Sequence, residues 1–94
     1  MKEDLLKIIN HYGINKQLKY IHSEYFELDE AIFEYEDDES GYINEAHICE
    51  EIADVMVMLK QFQYYYEIKD EDLEFVMDCK IDRQLKRIEN EKND

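Results

Sequence analysis

The chain has 94 residues, 25 acidic against 11 basic side chains, a formal net charge of −14 and no proline. That charge excludes general nucleic-acid binding, which rests on Lys and Arg contacts to phosphate. A hydrophobic content of 45% excludes a disordered segment, and no apolar run reaches the roughly 20 residues of a membrane span.

One domain is expected over residues 1–94, with its core over about 15–90. The opening Met1-Lys2-Glu3-Asp4-Leu5-Leu6 lacks the apolar stretch of a signal peptide, so a cytoplasmic protein with no membrane partner is expected. A first short helix is expected over about 3–12, with Leu5, Ile8 and Ile9 apolar and Gly13 as its terminator. Asn15 can cap a second helix over about 16–35. Its wheel puts Leu18, Ile21, Tyr25, Leu28, Ile32 and Tyr35 on the buried face, with Glu24, Glu27 and Ala31 on the flank. Residues 36–44, acidic and containing Ser40-Gly41, read as a loop.

A third helix is expected from Tyr42 or Glu45 to Tyr66. Ile48, Ile52, Val55 and Leu59 form its apolar stripe, and Ala53, Val57 and Met58 carry apolar surface around most of the rest. Phe62 and the run Tyr64-Tyr65-Tyr66 read as core or subunit packing, with base stacking as the alternative. Ile68-Lys69 is a short connection, and Asp70 is the expected N-cap of a fourth helix over about 71–90. That helix carries Leu73, Val76, Met77, Ile81, Leu85 and Ile88, and the tail from Glu89 onward is expected to fray. Cys49 and Cys79 show no metal-type spacing and read as reduced, buried packing residues.

Acidic pairs three apart are numerous in so acidic a chain, so spacing alone carries little. Context separates two of them. Glu24/Glu27 borders an apolar face, and Glu51/Asp54 lies inside an apolar run. An unpaired carboxylate is costly to bury, so these groups call for a cation or a hydrated cleft. If the second and third helices pack antiparallel, the two pairs meet and form an all-oxygen site suited to Mg²⁺ or Mn²⁺. The bland alternative is a set of partly buried, salt-bridged acids. A di-iron bundle needs Glu-x-x-His, and neither His22 nor His47 supplies it. Lys80, Arg83 and Arg87 share one side of the fourth helix and form the evident place for phosphate oxygens; the alternative is salt bridging to the many acids.

Ser23-Glu24-Tyr25-Phe26-Glu27-Leu28, followed by Glu50-Glu51-Ile52-Ala53-Asp54-Val55, resembles the Glu-x-x-Glu…Glu-x-x-Asp signature of the MazG-like all-α nucleoside triphosphate pyrophosphohydrolases. Lys80-Ile81-Asp82-Arg83 is similar to the Lys-x-x-Arg of that family's last helix. Ser23 departs from the pattern, where members often carry a second glutamate. The resemblance implies that Glu24, Glu27, Glu51 and Asp54 bind Mg²⁺, with Mn²⁺ as a substitute. It implies hydrolysis of an NTP or dNTP to the monophosphate and pyrophosphate, with the four acids acting catalytically through the metal and Lys80 and Arg83 serving substrate binding; Arg87 is expected to join them because it lies on the same side of that helix. The expected fold is an all-α antiparallel bundle of about four helices, completed by homodimerisation or a larger homo-oligomer. The competing class is a non-catalytic acidic helical interaction module.

Overall fold

The computed structural model describes residues 1–37 and 45–92. It is all-α: α1 spans Lys2–Tyr12, α2 Ile14–Glu36, α3 Glu45–Tyr65 and α4 Asp70–Lys92. Four helices at nearly the expected bounds follow from the 3.6-residue apolar periodicity and the scarcity of helix breakers. Of the loop expected at 36–44, Glu36 closes α2, Asp37 is its C-cap, and the remainder lies outside the described residues. The expected fraying from Glu89 is not seen as far as Lys92, where α4 ends.

Gly13 joins α1 to α2 at φ 90, a left-handed backbone that suits glycine. A Cβ there would meet nothing within 4 Å, so the backbone and not crowding calls for glycine. Gly13 N–H donates to Ile9 O at 2.8 Å, and Gln17 N–H donates to Gly13 O at 3.1 Å. A one-residue joint leaves no room for a separate cap. Asn15 therefore lies inside α2 and is not its N-cap, and no side chain caps that end.

α1, α2 and α3 pack on one another, and the innermost apolar residues are Leu5, Ile9, Ala31, Met58 and Tyr64. The line of α2 that faces inward is Gln17, Glu24 and Ala31. The expected face is turned: Leu18, Tyr25 and Ile32 are exposed, and Ile21, Leu28 and Tyr35 are half-buried. Aromatic and aliphatic residues lie on several sides of α2, so its wheel does not fix one orientation. The small Ala31 is where another helix can approach closely.

On α3 the buried positions are Met58, Gln61, Gln63 and Tyr64. Ile52 and Leu59, expected inside, are exposed, while Ile48 and Val55 are half-buried. The reason is α4, which leaves α3 at an elbow and, beyond the bonds of its first residue Asp70 to α3, packs against none of the other described helices. No residue of α4 is buried, and Val76, Met77, Ile81, Leu85 and Ile88 all face solvent. Cys49 and Cys79 are exposed as well. The buried setting expected for Cys79 needs a partner for α4, and Cys49 lies on the outer side of α3.

The elbow is tightly built. Glu67 N–H donates to Tyr64 O and Ile68 N–H to Gln63 O, each at 3.0 Å, with Glu67 at φ 59. This is the Schellman pattern with glutamate in place of the usual glycine, at a backbone cost of roughly 1 kcal/mol. Asp70 does not act as the expected N-cap, since Leu73 N–H bonds to Lys69 O. Its Oδ1 instead accepts from Lys60 Nζ at 3.0 Å, Gln63 Nε2 at 2.8 Å and Tyr64 OH at 3.0 Å. Tyr64 of the aromatic run is thus a packing residue with a paired hydroxyl, while Tyr65 and Tyr66 are exposed and meet edge to face at 5.0 Å.

Candidate metal centre

Two pairings set the register of α2 against α3. Gln17 Nε2 donates to Gln61 Oε1 at 2.8 Å, and Tyr35 OH donates to Glu45 Oε1 at 2.9 Å. Rising numbers on α2 meet falling numbers on α3, so the helices run antiparallel. Midway between these contacts, Glu24 and Glu27 from α2 face Glu51 and Asp54 from α3. One carboxylate oxygen from each can be chosen so that all four lie within 4.8 Å of one another.

The four acids are not equally placed. Glu24 is buried at 7% exposure, Glu51 is intermediate, and Glu27 and Asp54 are exposed. Asp54 thus departs from the apolar surroundings that its sequence neighbours suggest, because Ala53 and Val57 lie at the surface beside it. Glu24 Oε2 and Glu51 Oε2 are both buried without a hydrogen-bond partner among the described residues. Removal from water, then the charges of Glu27 and Asp54, push the Glu51 carboxyl above its ordinary range; His47 opposes this weakly. A hydrogen bond to Glu24 and that carboxylate's charge likewise raise the Tyr20 hydroxyl.

An unpaired, buried carboxylate oxygen is a costly feature, and here two of them sit in one cluster of like charge. A hard divalent cation satisfies both demands, and four carboxylate oxygens are the donor set that Mg²⁺ or Mn²⁺ takes. The residues therefore fit such an ion, and Glu24, Glu27, Glu51 and Asp54 are the ones that would hold it.

The candidate phosphate ligands are placed differently. Lys80, Arg83 and Arg87 are exposed on α4, which does not pack on α2. The fold gathers the four acids but does not bring these three basic residues to them within the described chain.

A cleft of about 480 Å³ opens beside the acids, and Glu24 and Asp54 belong to its wall. Tyr12, Lys16 and Tyr20 line it, with Gln17 and Gln61 deeper in. Sequence reasoning did not single out these residues. The available signal was that Gln17 and Gln61 interrupt otherwise apolar stretches at positions that the antiparallel register brings together.

Comparison of the chain with protein-family models, with curated proteins and with solved structures finds no match. Among the described residues, no helix is long and apolar enough to cross a membrane.

Proposed function

We propose that the chain is a divalent-cation-dependent pyrophosphohydrolase of nucleoside triphosphates. Water attacks the α-phosphorus, the bond from that phosphorus to the bridging oxygen breaks, and pyrophosphate leaves. The products are the nucleoside monophosphate, pyrophosphate and a proton. The observation that carries this reading is the convergence of Glu24, Glu27, Glu51 and Asp54 within 4.8 Å, with two of their oxygens buried and unpartnered among the described residues. The resemblance of the two acidic motifs to the MazG-like signature supports it.

Mg²⁺ or Mn²⁺, held by Glu24, Glu27, Glu51 and Asp54, would supply charge neutralisation for the triphosphate and would lower the pKa of the attacking water. The chain's own part is to hold four carboxylates on two helices whose register is fixed at both ends by the Gln17–Gln61 and Tyr35–Glu45 bonds. A carboxylate oxygen not engaged by the cation would accept the attacking water's proton. Lys80, Arg83 and Arg87 remain the proposed phosphate ligands. They reach the substrate when a second copy of the chain, or a closure of α4, brings that helix to the acids.

We further propose a homodimer. The solvent-facing row Val76, Met77, Ile81, Leu85 and Ile88 is about half exposed. Covering each side chain is worth roughly 1 kcal/mol by area, before the cost of association. The same exposed row favours the second reading, a non-catalytic acidic interaction module, whose apolar helix would dock on a different protein. Release of pyrophosphate from the common NTPs and dNTPs, with and without Mg²⁺, separates the two: the enzyme reading expects metal-dependent release, and the module reading expects none.

A further inference from the structure

The cleft beside the acids has features that the metal centre does not use. Gln17 and Gln61 are 5% and 2% exposed. Gln17 Nε2 donates to Gln61 Oε1 at 2.8 Å, but otherwise, among the described residues, the two amide nitrogens reach only Met58 Sδ, at 4.0 and 3.7 Å. A thioether is a weak acceptor. Two buried carboxamides are a costly way to fill space that Leu or Met would fill without penalty. The pair holds amide donors that call for a better acceptor than sulfur.

The rest of the lining fits a flat, uncharged ring. Tyr12 and Tyr20 offer aromatic surface, and Val57 and Met58 are apolar. Lys16 is the cation of this wall, and its ammonium lies over the Tyr12 ring at 5.0 Å. The volume of about 480 Å³ falls in the range of small-molecule sites and accommodates a nucleoside. Glu24 and Asp54 belong to both the cleft and the acidic cluster. A ligand with its ring in the cleft therefore has its other end at the proposed metal.

We propose that this cleft is the nucleoside-binding part of the site, with Tyr12 and Tyr20 against the base and the Gln17–Gln61 carboxamide pair reading its hydrogen-bonding edge. This deepens the reading of the acidic cluster as a triphosphate-hydrolysing centre and rests on it. Base stacking on an aromatic ring is sequence-tolerant, so selectivity falls to the amides. A polar group built to bond one edge rejects rings that leave it unpaired.

The test uses ligands without phosphate, so that it does not depend on hydrolysis. Adenosine, guanosine, cytidine, uridine and thymidine are each titrated into the full chain in EDTA and followed by NMR. The expected result is binding of a subset of the five, with resonance shifts centred on Tyr12, Gln17, Tyr20 and Gln61. Gln61→Leu and Gln17→Leu should weaken the favoured nucleoside about tenfold or erase the preference, as loss of a buried hydrogen bond implies. Tyr12→Ala, at a surface position, should weaken all five and covers the case in which a Gln variant fails to fold. Selective nucleoside binding without NTP hydrolysis still supports the cleft assignment and removes only the pyrophosphohydrolase reading. NTP hydrolysis with kcat/KM indifferent to the base, no nucleoside-induced shifts at these residues, or Gln variants that bind as the parent does would overturn it.

Discussion

Replacing Glu24 by Gln should uncouple the stability of the fold from divalent cations. Glu24 is the most enclosed of the four acids, and its Oε2 has no partner among the described residues. Gln keeps the shape and removes the charge. For the parent chain, a site with a Kd of about 1 mM at about 10 mM Mg²⁺ adds about 1.4 kcal/mol by mass action. In a domain of this size that is about 6–11 °C in Tm. Loss of one of four ligands should raise Kd about tenfold or more, which leaves about 0.4 kcal/mol and about 2–3 °C. Without metal the variant should melt at or above the parent's temperature, because like-charge repulsion with Glu27, Glu51 and Asp54 is reduced. Thermal melts of both proteins in Mg²⁺, Mn²⁺ and EDTA make the measurement. Identical melting of the parent in all three, or a full metal-induced shift in Glu24→Gln, refutes the assignment of this cluster as a cation site.

Asp70 should leave a signature in acid. Hydrogen bonds from Gln63, Lys60 and Tyr64 hold its carboxyl at about 2, below the ordinary 3.8. A depressed carboxyl stabilises the fold above its unfolded pKa and loses that contribution as pH falls through the folded value. The Tm gap between parent and Asp70→Asn should therefore be constant above about pH 5 and shrink between about pH 4 and 2; a gap independent of pH sinks the argument. Glu67→Gly relieves the left-handed backbone at the elbow and should raise stability by about 0.5–1 kcal/mol, read as an increase in the midpoint of urea unfolding; a lower midpoint rules the strain out. Light scattering should give a mass at least twice 11.5 kDa, and Ile81→Glu should halve it. A parent chain that is monomeric at micromolar concentration removes the interface assigned to α4.

Helix bounds and the four acids were legible from the sequence because both depend on local spacing. Residues one turn apart share a face whatever the tertiary structure does, so Glu24/Glu27 and Glu51/Asp54 needed only an antiparallel pairing of two helices to meet. Which face of α2 turns inward was not legible. Leu18, Tyr25 and Ile32 outscore Gln17, Glu24 and Ala31 in hydrophobicity, yet the second set is buried. That choice is made by partners: α1, folded back at Gly13, and the hydrogen bond from Gln17 to Gln61. The same limit applies to α4. Its apolar row is evident in the sequence, but amphipathic spacing does not say what packs against it. The elbow at Glu67 was missed because a non-glycine residue at positive φ has no composition signal.

Pyrophosphate release tests the central claim most directly. The parent chain, Asp54→Ala and Glu36→Ala are assayed in parallel on the four common NTPs and the four dNTPs, in Mg²⁺ and in EDTA. Asp54 is exposed on α3, and Ala is the best helix former, so Asp54→Ala should keep its helical circular dichroism. Glu36, at the end of α2, lies outside the acidic cluster and serves as the control. The account expects Mg²⁺-dependent release by the parent and by Glu36→Ala, and a fall of several orders of magnitude in Asp54→Ala. Undiminished specific activity in folded Asp54→Ala, or no release by the parent from any of the eight substrates, contradicts it.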